Sequence, residues 1–108
     1  RKVRTAIRLK GFRFLLAHSP CPTGWKAEPS QTVQLVRTAV RSGLFPVVEV
    51  FGGKQWRINV EPDWTDPEEY FRRQRRFPDD RVDLEATRSW IRDRFERLRV
   101  LAEAFPAA

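Results

Sequence analysis

The chain is organised around one short segment, SPCPTGW at residues 19–25, which contains its only cysteine. Pro20 and Pro22 flank Cys21, and a proline fixes its own φ at about −65° while it restricts the preceding residue to extended conformations. The backbone around the thiol therefore has little freedom, and we expect an extended, proline-braced loop. A sulfur whose direction is set in advance can serve as a metal ligand or as a redox thiol.

An α/β step is predicted before this segment. Residues 1–10 carry Val3 and Ile7 four positions apart, as in the last turns of a helix, and Gly11 follows where a helix-ending glycine is common. Residues 12–17, FRFLLA, are an apolar run of strand length, which predicts a buried strand. A helix, a glycine and a strand in this order are typical of one half of an α/β unit.

A helix and a hairpin are predicted after the cysteine segment. Ser30 is expected to cap a helix that ends at Gly43 and carries an apolar stripe. The β-branched run at residues 47–51 and the alternating run at residues 54–60 are expected to pair as strands. The Gly-Gly pair between them is a typical two-residue hairpin turn.

Two further helices are predicted in the rest of the chain. Asp66 is expected to cap the first, which runs to about Arg76. Asp83 is expected to cap the second, which runs to about Ala104 with an apolar residue at every seventh position. We expect this long amphipathic helix to lie on the domain or on a partner chain.

The composition limits the classes of protein to consider. With 108 residues, of which 41% are hydrophobic, the chain forms at most one small domain. It begins without an initiator methionine and contains no methionine, so we expect a fragment of a longer polypeptide. It lacks an apolar run long enough to cross a membrane. A single cysteine cannot form an internal disulfide, and this usage favours a reducing, cytoplasmic location.

The charge leaves one non-enzymatic alternative. A formal net charge of +7 is compatible with a basic interaction module that binds nucleic acid or a partner chain. The basic residues are mostly arginines interspersed with aspartate and glutamate along helical segments. This pattern favours solvated helix faces and contacts with acidic partner subunits over a nucleic-acid surface.

Cys21 and His18 are the two side chains with the most distinctive chemistry. Their spacing is compatible with the Cys–His nucleophile pair of a cysteine hydrolase. No Asn or Asp lies nearby in sequence to orient the imidazole, so we interpret His18 as a hydrogen-bonded structural residue. For Cys21, the alternative to a ligand role is packing in the core, since free cysteines are among the most buried residues.

Three segments of the chain together carry a family resemblance. They are SPCPTGW at residues 19–25, AVRSGLFPVVEV at residues 39–50 and EYFRRQRRF at residues 69–77. In this order they resemble the C-terminal part of the β subunit of 2-oxoacid:ferredoxin oxidoreductases, such as pyruvate:ferredoxin oxidoreductase. The resemblance covers about residues 1–77 and does not extend to the final predicted helix.

The resemblance implies a set of cofactors and partners. In this family the β subunit binds thiamine diphosphate with Mg2+, and the enzyme oxidatively decarboxylates a 2-oxoacid, usually with coenzyme A as the acyl acceptor. Electrons pass singly through a 4Fe-4S cluster to ferredoxin or another acceptor. The cysteine of the first segment is the last of four cluster ligands, a role that would fall to Cys21. The other ligands and the thiamine and magnesium motifs would lie upstream, and other oxidoreductase subunits would be partners.

The fold implied by the resemblance is α/β. Residues 1–51 would be the terminal piece of the thiamine-diphosphate-binding α/β domain, including the cysteine loop. Residues 52–108 would supply the second hairpin strand and a helical C-terminal arm. These 108 residues alone would be inactive because the thiamine motifs are missing. We expect neither a nucleic-acid nor a membrane partner on this interpretation.

Overall fold

The computed structural model describes residues 1–108 and contains five α-helices, one 3-10 turn and one hairpin of two strands. In chain order these elements are α1 (Lys2–Arg8), α2 (Pro22–Trp25), the 3-10 turn (Pro29–Gln31), α3 (Thr32–Arg41), β1 (Val48–Phe51), β2 (Gln55–Ile58), α4 (Glu68–Arg72) and α5 (Leu84–Ala104). Helices combined with a two-stranded antiparallel sheet are compatible with the predicted α/β class.

The predicted hairpin is confirmed. β1 and β2 pair in antiparallel fashion with Phe51 opposite Gln55, so three residues connect the strands instead of the predicted two. Gly52 and Gly53 have φ values of 58° and 68°, and a type I′ turn requires such positive values at both central positions. The expected division of the chain at residue 51 falls inside this hairpin.

One group of buried side chains joins three helices directly behind the cysteine. Leu35 and Ala39 on α3 are 1% and 0% exposed, and α3 packs against α4. Tyr70 on α4 and Trp25 on α2 complete this cluster together with Ala27. The turn that carries Cys21 is therefore fixed to a buried core cluster through Trp25.

A second group of side chains fixes α5 to the rest of the domain. Ile91 and Phe95 on α5 are 2% and 1% exposed. The Trp64 ring packs edge-on against Phe95 with 5.5 Å between ring centroids. Gly43, where a Cβ atom would lie 3.2 Å from Ile91, lets the end of α3 approach this helix closely. Of the two positions predicted for α5, on the domain or on a partner chain, the structure shows the first.

The predicted helix start is confirmed at Asp83, whose carboxylate accepts a hydrogen bond from the Ala86 N–H at 2.9 Å. The carboxylate of Asp66 accepts from the Glu68 N–H at 2.8 Å, but α4 begins one residue later than predicted, with Pro67 as its N-cap. Ser30 lies within the 3-10 turn and is not the cap of α3. The turn begins at Pro29, before the predicted cap, so Ser30 has already left the extended conformation that a cap needs.

Helix α4 is shorter than predicted, since it ends at Arg72 and not near Arg76. The backbone N–H of Arg75 donates to the carbonyl of Lys26 at 3.2 Å instead of continuing the helical ladder. Gln74 is completely buried where the chain leaves the helix. A contact with the cysteine turn has therefore replaced the last predicted turn of α4.

Residues 12–17 do not form the predicted buried strand. Phe12, Phe14 and Leu16 are 93%, 74% and 71% exposed, and the segment belongs to no sheet. A strand requires a neighbouring backbone with which to pair, and the sheet of this structure consists of β1 and β2 alone. The segment therefore has no strand among these residues with which it could pair.

Candidate functional site at the cysteine turn

Cys21 is the N-cap of the single helical turn α2. Its φ and ψ of −121° and 103° are extended, and Pro22 occupies the first helical position, which suits proline because that residue needs no N–H partner. The prediction of an extended loop is therefore right at Cys21 and wrong immediately after it. The thiol is exposed, which contradicts the alternative of a buried packing cysteine.

Gly24 donates a hydrogen bond to the sulfur of Cys21 and, because it has no side chain, leaves room for that sulfur. Its backbone N–H donates a hydrogen bond to Cys21 Sγ at 3.3 Å. A Cβ atom at Gly24 would lie 3.3 Å from the same sulfur, which is closer than ordinary van der Waals contact. The glycine of the turn thus lets the backbone approach Sγ closely, and the sulfur is oriented before any ligand binds.

Aromatic rings support the turn from behind. The Trp25 ring is 9% exposed and meets the Tyr70 ring edge-on, with 6.1 Å between centroids. The imidazole of His18 stacks on the Phe45 ring with centroids 4.9 Å apart. These contacts tie the residues on both sides of Cys21 to the core.

His18 has the structural role that the sequence predicted. Its Nε2 atom lies 3.2 Å from the hydroxyl oxygen of Tyr70, whereas the sulfur of Cys21 bonds to Gly24. The two side chains therefore do not form the Cys–His pair of a hydrolase. Burial lowers the pKa of His18 from its ordinary value of 6.5, and the positive charge of Arg76 lowers it further, so the neutral imidazole is favoured.

The segment after α4 contacts the C-terminal end of the cysteine turn through hydrogen bonds and a stacked side chain. Both the backbone N–H and the Nε atom of Arg75 donate to the carbonyl of Lys26, at 3.2 and 3.3 Å. The guanidinium of Arg76 stacks over the Trp25 ring at 4.3 Å from its centroid. The side chain of Gln74 accepts a hydrogen bond from Arg76 Nε at 2.7 Å. Sequence reasoning did not single out these contacts.

The three segments that carry the family resemblance meet at this site. Trp25 comes from the first segment, Phe45 from the second and Tyr70 from the third, and all three rings contact His18. Segments that are separate in sequence thus form one structural unit around the exposed thiol.

Comparison with curated proteins finds relatives of the same kind. The ketoisovalerate oxidoreductase subunit VorB of Pyrococcus abyssi is 36% identical over 109 residues, which cover 97% of this chain. The pyruvate synthase subunit PorB of Methanocaldococcus jannaschii is 37% identical over 78 residues, which cover 71% of this chain. The chain belongs to the β-subunit family of the 2-oxoacid:ferredoxin oxidoreductases. No protein-family model and no solved structure matches it.

The match is to a part of these β subunits. The chain spans 35% of the length of VorB from P. abyssi and 26% of that of PorB from M. jannaschii. The VorB alignment includes the region of α5, to which the resemblance seen in the three segments did not extend. None of the helices combines the length and the apolar character that a membrane crossing requires.

Cys21 is the candidate site of this 2-oxoacid:ferredoxin oxidoreductase segment. The His, Cys, Asp and Glu side chains form no group of three or more that could hold a metal ion by themselves. Two clefts of about 90 and 180 Å³ are smaller than the usual ligand pocket of about 300–1,000 Å³, and Cys21 lines neither.

Proposed function

We propose that the chain is part of the β subunit of an enzyme that oxidatively decarboxylates a 2-oxoacid with thiamine diphosphate and Mg2+. Cys21 would be one ligand of a 4Fe-4S cluster, and the remaining residues would hold this ligand and contact other subunits. The cluster supplies one-electron transfer from the oxidised substrate toward ferredoxin or another acceptor. The likeness to VorB and PorB supports the assignment to this class of enzyme.

The observation that carries the proposal is the state of the Cys21 thiol. It is exposed, it caps a helical turn, and its sulfur accepts a backbone hydrogen bond from Gly24. This combination suits a thiolate ligand of a cluster shared with other parts of the enzyme, because the sulfur is accessible and a hydrogen bond from an amide stabilises its negative charge. The donor set thus fits one corner of a four-cysteine site whose other thiolates come from outside these residues.

The surface around the turn is basic. Lys26, Arg75 and Arg76 lie at its end, and the chain as a whole carries a formal net charge of +7. A positive surface attracts acidic proteins and raises the rate at which they associate. This supports an acidic electron carrier such as ferredoxin, or acidic partner subunits, as the binding partner. A reducing cytoplasm suits an exposed thiol of this kind.

The exposed apolar segment at residues 12–17 supports the proposed domain. Phe12, Phe14 and Leu16 would be unusual as a free surface, since contiguous exposed apolar residues mark places that another structure covers. We propose that this segment becomes a strand of the thiamine-diphosphate-binding α/β domain in the assembled β subunit. Coenzyme A and the 2-oxoacid would bind elsewhere in the enzyme.

A comparison of acceptor reduction in two variants tests the proposal. In the assembled enzyme, Cys21→Ala is expected to lower 2-oxoacid-dependent ferredoxin reduction at least about 100-fold, because a transfer step with a missing cluster adds several kcal/mol to the barrier. Bound thiamine diphosphate should stay at the wild-type level. Thr23→Ala, on the exposed side of the same turn, is the matched control and should keep wild-type reduction. Wild-type reduction by Cys21→Ala would refute the proposal.

A further inference from the structure

Gln74 is a buried polar residue, and both the nitrogen and the oxygen of its side-chain amide are hydrogen-bonded. It is 0% exposed, and its Nε2 atom donates to the carbonyl of Tyr70 at 2.6 Å. Its Oε1 atom accepts from Arg76 Nε at 2.7 Å. Burying an amide costs free energy unless both ends are hydrogen-bonded, and here one bond goes back to Tyr70 within α4 and the other goes forward to Arg76. The buried amide therefore fixes the direction in which Arg76 leaves the core.

Arg76 in turn holds the cysteine turn. Its guanidinium lies 4.3 Å from the centroid of the Trp25 ring, which is a cation–π contact. The backbone N–H of Trp25 donates to the carbonyl of Cys21 at 2.8 Å, so the stacked ring and the cysteine belong to one hydrogen-bonded turn. Gln74, Arg76, Trp25 and Cys21 thus form a continuous series of contacts from the core to the exposed sulfur.

We propose that Gln74 and Arg76 are positioning residues that hold the Cys21 turn and thereby set the reduction potential of the cluster to which Cys21 is a ligand. This inference rests on the proposed function. Reduction adds an electron to the cluster, and a fixed amide N–H at the sulfur stabilises the added charge. A loosened turn weakens the hydrogen bond from the Gly24 N–H to Cys21 Sγ. The reduction potential of the cluster is then expected to shift to more negative values.

The geometry of Arg76 distinguishes positioning from a simple effect of charge. A flat guanidinium can stack on Trp25 and donate to Gln74 at the same time, whereas the ammonium of a lysine keeps the charge without this geometry. Arg76→Lys therefore preserves the charge and removes the support. Arg72→Lys is the matched control, because Arg72 lies only four positions earlier at the end of α4, is exposed, and pairs with Glu68 and Glu69 of its own helix.

The test is a redox titration of the assembled enzyme followed by EPR. The cluster concerned is the one whose signal disappears in Cys21→Ala. Arg76→Lys and Gln74→Leu are expected to keep the iron content of the wild type and to shift the midpoint potential of that cluster to more negative values. Arg72→Lys is expected to match the wild type. Since Arg76 is exposed, its variant remains decisive if Gln74→Leu fails to fold.

The outcomes separate this inference from the proposed function. A wild-type potential in Arg76→Lys overturns the positioning role, even where Cys21→Ala has removed a cluster. If every EPR signal persists in Cys21→Ala, the ligand assignment itself is wrong, and this inference falls with it. A shift in Arg72→Lys equal to that in Arg76→Lys would also overturn the positioning role, because any basic residue of the segment would then suffice.

Discussion

The Nε2 atom of His18 lies 3.2 Å from the hydroxyl oxygen of Tyr70, and this contact joins the residues before the cysteine turn to helix α4. The same imidazole stacks on Phe45. Three parts of the chain are therefore held together at one aromatic ring, three positions before Cys21. The contact explains how a loop with little secondary structure is fixed next to the candidate ligand.

The stability of the enzyme should depend on the protonation of His18. Burial and the charge of Arg76 lower the pKa of His18 below its ordinary value of 6.5, so the unfolded chain binds the proton more tightly than the folded protein does. The contribution of the neutral imidazole is complete above about pH 6.5 and is lost as the pH falls below that value. The difference in thermal midpoint between wild type and His18→Gln should therefore shrink from pH 7.5 to pH 5.5. A difference that stays constant or grows toward low pH would contradict a lowered pKa of His18 in the folded protein.

Gly43 should be among the positions least tolerant of a methyl group. Its φ is +82°, and a Cβ atom there would lie 3.2 Å from Ile91 and 3.4 Å from the Trp64 ring. A left-handed conformation costs an alanine about 1–2 kcal/mol, and overpacking adds about 1–3 kcal/mol. Gly43→Ala should therefore lower the free energy of unfolding by about 3 kcal/mol, as measured by urea denaturation.

Gly52→Ala is the control for this substitution. Gly52 also has a positive φ, of 58°, but nothing lies within 4 Å of the position that its methyl group would take. Gly52→Ala should lower the free energy of unfolding by only about 1 kcal/mol, because the backbone conformation is its sole cost. Equal losses at the two glycines would show that α5 does not pack against the end of α3 as described.

Residues 12–17 should be protected in the assembled enzyme. If the segment pairs as a strand of the α/β domain, the amides of Phe14 and Leu16 should exchange hydrogen about as slowly as that of Ala39, which is completely buried in α3. The amide of Gly53 in the exposed hairpin turn is the internal reference for rapid exchange. Hydrogen exchange followed by mass spectrometry makes the measurement, and exchange at Phe14 as rapid as at Gly53 would refute strand pairing.

Local patterns in the sequence predicted those parts of the fold that depend on local chemistry. The Gly-Gly pair and the alternating residues around Trp56 indicated the hairpin, and Asp83 indicated the start of α5. Both features are set by neighbours in the chain, such as positive φ in a turn and an unpaired N–H at a helix end. The two prolines around Cys21 likewise indicated a restricted backbone that sets the direction of the thiol.

The errors arose where distant contacts decide the structure. The apolar run at residues 12–17 has strand composition, but pairing needs a partner that the run cannot specify. Helix α4 stops early because the N–H of Arg75 finds the carbonyl of Lys26, 49 positions away in sequence. The roles of Gln74 and Arg76 were missed for the same reason, since a buried amide is recognisable only once its partners are known.

The most direct test of the account is the iron content and EPR spectrum of the enzyme with and without the Cys21 thiol. The assembled enzyme is prepared anaerobically as wild type and as Cys21→Ala, and both are reduced with dithionite. The account predicts that the variant lacks one 4Fe-4S signal and the corresponding four iron atoms while it still binds thiamine diphosphate. Unchanged iron and an unchanged spectrum would show that Cys21 is not a cluster ligand and would contradict the central claim.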